Sequence, residues 1–230
     1  MGICAAALFT EFKEALKLSW PVMVGYLILA IPCGILEHTA GFSMFQIILL
    51  SVFFYSGAGQ FMLPGFIFAG IPLLSSFVSL LSVNARHMLY SAALSPYFKG
   101  VSKAQRFASA LYVTDESFAL ALSRYQAGAT NPRLLMFINL ACHLSWIVAN
   151  VSGALIAEAF EIPQDIAAFS MTSIFLALLC LQEKSGAFPV VVAVSFMGVL
   201  AAKLMDIPSF AIMFGALSGV VAGVFFGRSQ

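Results

Sequence analysis

The chain has 230 residues, of which 61% are hydrophobic and only 9% charged, with a formal net charge of +1. A soluble domain carries roughly a quarter charged residues, so a mean hydropathy of +0.99 leaves the lipid bilayer as the main solvent. The near-neutral balance excludes the clustered basic surface that a nucleic-acid partner requires.

The first charges, Glu11, Lys13, Glu14 and Lys17, follow a small apolar stretch, the reverse of a cleavable leader. Phe9, Phe12 and Leu16 recur between them at helical spacing, so residues 1–17 read as an interfacial helix. A single transmembrane transport domain is expected over residues 18–228. Its first span is Leu18–Leu36, with Pro32 and Gly34 marking an expected helix break. Glu37 and His38 fall at the segment end and read as solvated.

From Thr39 to Ala85 there is no charged residue, and Gly57-Ala58-Gly59, Pro64-Gly65 and Gly70-Ile71-Pro72 interrupt the run. Met44–Leu63 therefore reads as a helix broken around its glycines, and Pro72–Pro96 as a long helix. Tyr97–Arg106 is a basic loop holding Lys99, Lys103 and Arg106. Phe107–Tyr125 is moderately apolar but carries Asp115 and Glu116 at its middle, and Leu134–Ala157 is a further span. Beyond the acidic loop with Glu158, Glu161 and Asp165, the spans Ile166–Gln182, Phe188–Ala202 and Pro208–Phe226 follow. The expected fold is all-α, a polytopic membrane protein of seven or eight helical segments, because lipid tolerates no unpaired backbone.

Basic residues favour the cytoplasmic side. Simple alternation cannot place Lys13, Lys17, Lys99, Lys103, Arg106, Arg124, Arg133, Lys184 and Arg228 together. The conflict disappears if one segment of the 39–85 run and Phe107–Tyr125 are broken or re-entrant, with both termini cytoplasmic in a bacterial inner membrane.

Charge inside an apolar segment is expensive and is a functional signal by default. Asn84, Arg86 and His87 sit at the middle of the Pro72–Pro96 helix, and Asp115 and Glu116 at the middle of the following segment. They form either a polar site that binds substrate and relays protons, or an ion pair of Arg86 with Asp115 or Glu116 that locks two helices. Neighbouring helical residues project about 100° apart, so one carboxylate is expected to pair with Arg86 while the other faces a cavity. A carboxylate out of water suits a proton-coupled step, and His87 titrates near physiological pH when unperturbed. The tract Tyr55 to Phe61, with Gly57, Gly59 and Gln60, is the second candidate. Glycines there either expose backbone groups, as transporters use them, or pack helices closely. His143 reads as a hydrogen-bonded structural residue. Cys4, Cys33, Cys142 and Cys180 are scattered and read as small apolar fillers. No HExxH, GxSxG or Walker-type loop is present, so neither an enzyme nor a cofactor or metal is indicated.

Four motifs in order, Pro21-x3-Gly25-x6-Pro32-x-Gly34, Tyr55-x-Gly57-Ala58-x-Gln60-Phe61, Asn84-x-Arg86-His87-x-Leu89-Tyr90 and Thr114-Asp115-Glu116-x-Phe118, resemble the AzlC family. The resemblance covers the first half of the chain; the second half agrees in hydropathy pattern. It implies export of the branched-chain amino acids leucine, isoleucine and valine, and in some members methionine. It also implies a small membrane partner of the AzlD type. Proton-motive coupling is expected. The alternatives are an ion channel or ion transporter lined by the acidic and histidine groups, a permease subunit of an ATP-driven transporter, or a membrane scaffold.

Overall fold

The structure, a computed structural model, describes residues 2–98, 102–128, 132–160, 162–181, 186–205, 207 and 210–227. Lys99, Glu161, Glu183-Lys184 and Arg228 lie outside the described residues, and so does the side chain of Cys4. Every regular element among the described residues is helical. These are α1 (Gly2–Thr39), α2 (Met44–Phe53), α3 (Gly57–Phe68) and α4 (Leu73–Leu94), then a 3-10 turn (Ser95–Phe98). After it come α5 (Lys103–Leu111), α6 (Asp115–Gln126), α7 (Pro132–Ala159), α8 (Gln164–Leu181), α9 (Phe188–Leu204) and α10 (Ala211–Gly227). Taking α2 with α3 and α5 with α6 as broken segments, the described residues give eight, the all-α polytopic architecture expected from the sequence.

Helices α1 and α7 each contain a stretch long and apolar enough to cross a membrane, Phe9–Thr39 and Arg133–Ala159. By contrast α2 has 10 residues and α3 has 12. At 1.5 Å per residue each reaches about 15–18 Å, half of a hydrocarbon core of about 30 Å. Helices α5 and α6, with 9 and 12 residues, are of the same kind.

The chain forms two compact units, Met1–Phe61 with Ala85–Met171, and Met62–Asn84 with Thr172–Gln230. Sequence reasoning expected a separate helix over 1–17 and one domain beyond it; here α1 runs unbroken from Gly2 to Thr39. In the first unit α1 and α7 make the most intimate pair. Ala15, Ser19, Tyr26, Ala30, Cys33 and Glu37 of α1 are all buried, and their spacing is one stripe of a 3.6-residue period. A side chain at Gly34 would collide with the Asn150 backbone carbonyl, and one at Gly153 with that of Ile31. Small residues thus bring two backbones together, as in membrane helix pairs generally. In the second unit α9 and α10 pack in the same way, through Gly198, Gly215 and Gly219 against Ser218, Val199 and Ser195.

Pro32 and Gly34 do not break α1. A single proline costs one backbone hydrogen bond, which membrane helices accommodate locally. Gly34 serves the helix crossing instead.

Candidate functional site

The candidate site residues of the first unit gather where two helices start anew. After α2 ends, Phe54, Tyr55 and Ser56 are non-helical, and Ser56 caps α3: its Oγ accepts from the Gly59 N–H at 3.2 Å and its carbonyl from the Gln60 N–H at 2.8 Å. After α5, Thr114 caps α6 through a reciprocal box with Ser117, the arrangement that satisfies the free N–H groups of a helix start. The break in the 39–85 run thus falls just before the glycines, with Gly57 and Gly59 in the first turn of α3.

Tyr26 of α1 joins the second start to the first. Its hydroxyl lies 2.6 Å from Thr114 Oγ1 and donates to Glu116 Oε2 at 2.8 Å. Its ring meets those of Trp146 and Tyr55 edge-on, with centroids 5.4 Å and 6.3 Å away. Asp115 turns the other way, as the 100° step requires. It pairs with Arg86 Nη1 at 2.6 Å and accepts from the Tyr90 hydroxyl at 2.5 Å. The side chains of this ion pair remain 34% and 40% exposed, so it is not sealed inside the unit. His87 stacks beside Tyr90, centroids 6.0 Å apart. Tyr90 in turn stacks on Phe118 at 4.6 Å.

Around the first break, buried polar groups take up what the backbone leaves free. The Ser51 carbonyl, near the end of α2, accepts from His143 Nε2 at 2.9 Å, a side-chain solution to an orphaned helix-end carbonyl. His143 lies between the rings of Tyr55 and Tyr112, at 4.3 Å and 4.8 Å. It is a hydrogen-bonded histidine, as its sequence setting implied. Trp146 Nε1 donates to Gln60 Oε1 at 2.5 Å, leaving the buried Gln60 Nε2 without a hydrogen-bond partner among the described residues. A side chain at Gly57 would press on the Trp146 ring at 3.1 Å, and one at Gly59 on Phe54 at 2.7 Å.

Of the candidates read from the sequence, Arg86 and Asp115 are in direct contact. Glu116 connects through Tyr26 and Trp146 to Gln60, beside Gly57 and Gly59. His87 flanks the ion pair, and Asn84 is half-buried on α4 two residues before Arg86. Glu37 requires a correction. It is not solvated but fully buried, with Cys33 Sγ 3.9 Å from Oε1 and Asn150 of α7 beside it. The 3.6-residue stripe of α1 was the available signal. Tyr26 and Trp146 were also missed, because an aromatic in an apolar helix reads as filler until its partner is known. The site therefore offers a guanidinium, two divergent carboxylates, a free amide N–H and a helix start. Among the described residues no group of three or more His, Cys, Asp or Glu could hold a metal ion.

Residues 21–160 match the family model described as AzlC protein. Among relatives, a membrane protein of Archaeoglobus fulgidus is 29% identical over 90% of this chain and 92% of its own length. The branched-chain amino acid transport protein AzlC of Bacillus subtilis is 24% identical over 76% of this chain and 69% of its own. The inner membrane protein YgaZ of Escherichia coli is 25% identical, covering 92% and 87%. No solved structure matches the chain.

Proposed function

Because the chain belongs to the AzlC family and is a membrane transport protein, we propose that it exports branched-chain amino acids, driven by the proton-motive force, together with a small AzlD-type membrane subunit. The reading rests on the residues at the second helix start: Asp115 and Glu116, adjacent in sequence, diverge to Arg86 and to Tyr26. A substrate with one ammonium and one carboxylate can open the Arg86–Asp115 pair and satisfy both halves. Its carboxylate goes to Arg86 or to the N–H groups that open α3, whose positive dipole end suits an anion. Its ammonium goes to Asp115 or Glu116. Protonation of Glu116 or His87 then weakens the hold on the ammonium and favours release.

The partial exposure of the ion pair supports a role in exchange, since its charged groups can be reached from outside the unit. Toxic branched-chain analogues give the test. Cells producing the chain with its partner should survive them, and vesicles should release loaded leucine. Asp115→Asn with Glu116→Gln should abolish this efflux while leaving the protein in the membrane. Efflux that persists in the double variant overturns the mechanism. Ion flux indifferent to amino acids in the wild type would make the chain a channel.

A further inference from the structure

The first unit holds a cavity of about 150 Å³ between the end of α4, the 3-10 turn and α5. Its aliphatic and aromatic walls are Leu94, Phe98 and Val113, with Ala110 and Ser109 on α5 and Arg106 at the edge. Leu94, Phe98 and Val113 are themselves buried. The cavity is partly open to the outside, and the small residue Ala110 forms part of its wall.

Its position ties it to the ion pair. Leu94 follows Tyr90 by one helical turn on the same face of α4, and Tyr90 holds Asp115. Val113 precedes Asp115 by two residues, in the non-helical link between α5 and α6. The serines at 19, 76, 82 and 91 each return their hydroxyl to a backbone carbonyl four residues earlier. Ser109 does not: its Oγ is buried and has no hydrogen-bond partner among the described residues.

We propose that this cavity receives the branched aliphatic side chain of the transported amino acid, an assignment that rests on the exporter reading above. Apolar cavities of about 150 Å³ accept a benzene-sized guest. An isobutyl, sec-butyl or isopropyl group fits that space, and an indole does not. The selectivity of transport is then set by the volume that Ala110 leaves open, while charge recognition stays with Arg86, Asp115 and Glu116.

The test uses the full chain in lipid nanodiscs with its partner subunit, and a diazirine analogue of leucine as the probe. Photolysis should attach the probe to Leu94, Phe98 or Val113, and excess leucine should suppress the labelling. Ala110→Phe, which fills the cavity, should lower both labelling and leucine efflux at least tenfold. Ala110→Gly only enlarges the cavity, so it serves if the larger residue impairs folding; it should raise phenylalanine efflux relative to leucine severalfold. Labelling on other helices, or leucine efflux and selectivity unchanged in both variants, overturns the cavity assignment with the exporter reading intact. A wild type that neither binds nor exports leucine overturns both.

Discussion

The α1–α7 pair of the first unit and the α9–α10 pair of the second are built on the same contact and enclose different things. Both use glycine to let one backbone approach another. The α9–α10 contact encloses glycine, serine and valine, with the Ser218 hydroxyl returned to the backbone of Val194 and Gly215. The α1–α7 contact carries Tyr26, Cys33 and Glu37 on one side and Cys142, His143, Trp146 and Asn150 on the other, all buried. Close packing by small residues is thus a means of assembly in either place. It becomes part of a site only where the stripe beside it is polar and aromatic. The family match, residues 21–160, takes in the first pair and ends before the second.

The comparison can be broken most severely at the glycines themselves. Gly34→Ala places a methyl group against the Asn150 carbonyl, backbone that cannot rotate away. Overpacking of this kind costs about 1–3 kcal/mol, more where the neighbour is rigid, so the melting temperature in detergent should drop sharply and efflux with it. In α10, Gly223→Ala meets only Val191 Cγ2 at an ordinary 3.6 Å. It should leave stability unchanged or raise it by about 0.5–1 kcal/mol through lower chain entropy. Equal damage from both substitutions would show that the two pairs are packed alike and that the collision at Gly34 is relieved by movement.

Much of this contrast was legible in the chain. The uncharged run from Thr39 to Ala85 and the carboxylates inside Phe107–Tyr125 marked the two broken segments. The caps at Ser56 and Thr114, which make the new helix starts, came only with the structure. The divergence of Asp115 and Glu116 followed from helix geometry alone. What could not be read was which helix lies opposite which. Without the α1–α7 pairing, Glu37 is a charge near a segment end and Tyr26 is one more aromatic. Pro32 misled for a related reason: a proline signals the loss of one hydrogen bond, and only the surroundings decide whether the helix then stops.

Tyr26→Phe sharpens the comparison within the first unit. The substitution keeps the ring that packs on Trp146 and Tyr55 but removes the hydroxyl that reaches Thr114 and Glu116. Hydrogen bonds to charged groups contribute about 1.5–3 kcal/mol, set lower here because Glu116 lies exposed at the surface of the unit. A modest fall in stability, about 1 kcal/mol, is expected. Leucine efflux should fall further than that, since the variant frees Glu116 from its fixed position. If stability and efflux decline in step, Tyr26 is a packing residue only.

The smallest effect is expected for Glu37→Gln, and it decides what the α1–α7 pair has buried there. The side chain is fully enclosed, and its neighbours among the described residues are the Cys33 thiol and the Asn150 amide, neither of which carries positive charge. An ionised carboxylate so placed, with no cation opposite, would cost several kcal/mol. Glu37→Gln keeps the shape and leaves an uncharged polar head beside Asn150. Its melting temperature should therefore match the wild type or exceed it slightly. Glu37→Leu sets an apolar chain against the buried polar side chain of Asn150, which should cost about 1–3 kcal/mol. The order Gln, then Leu, is what a polar pair between two close helices requires. If Gln proves as damaging as Leu, Glu37 carries a charge that some cation holds, and the first helix pair binds an ion that the second has no means to bind.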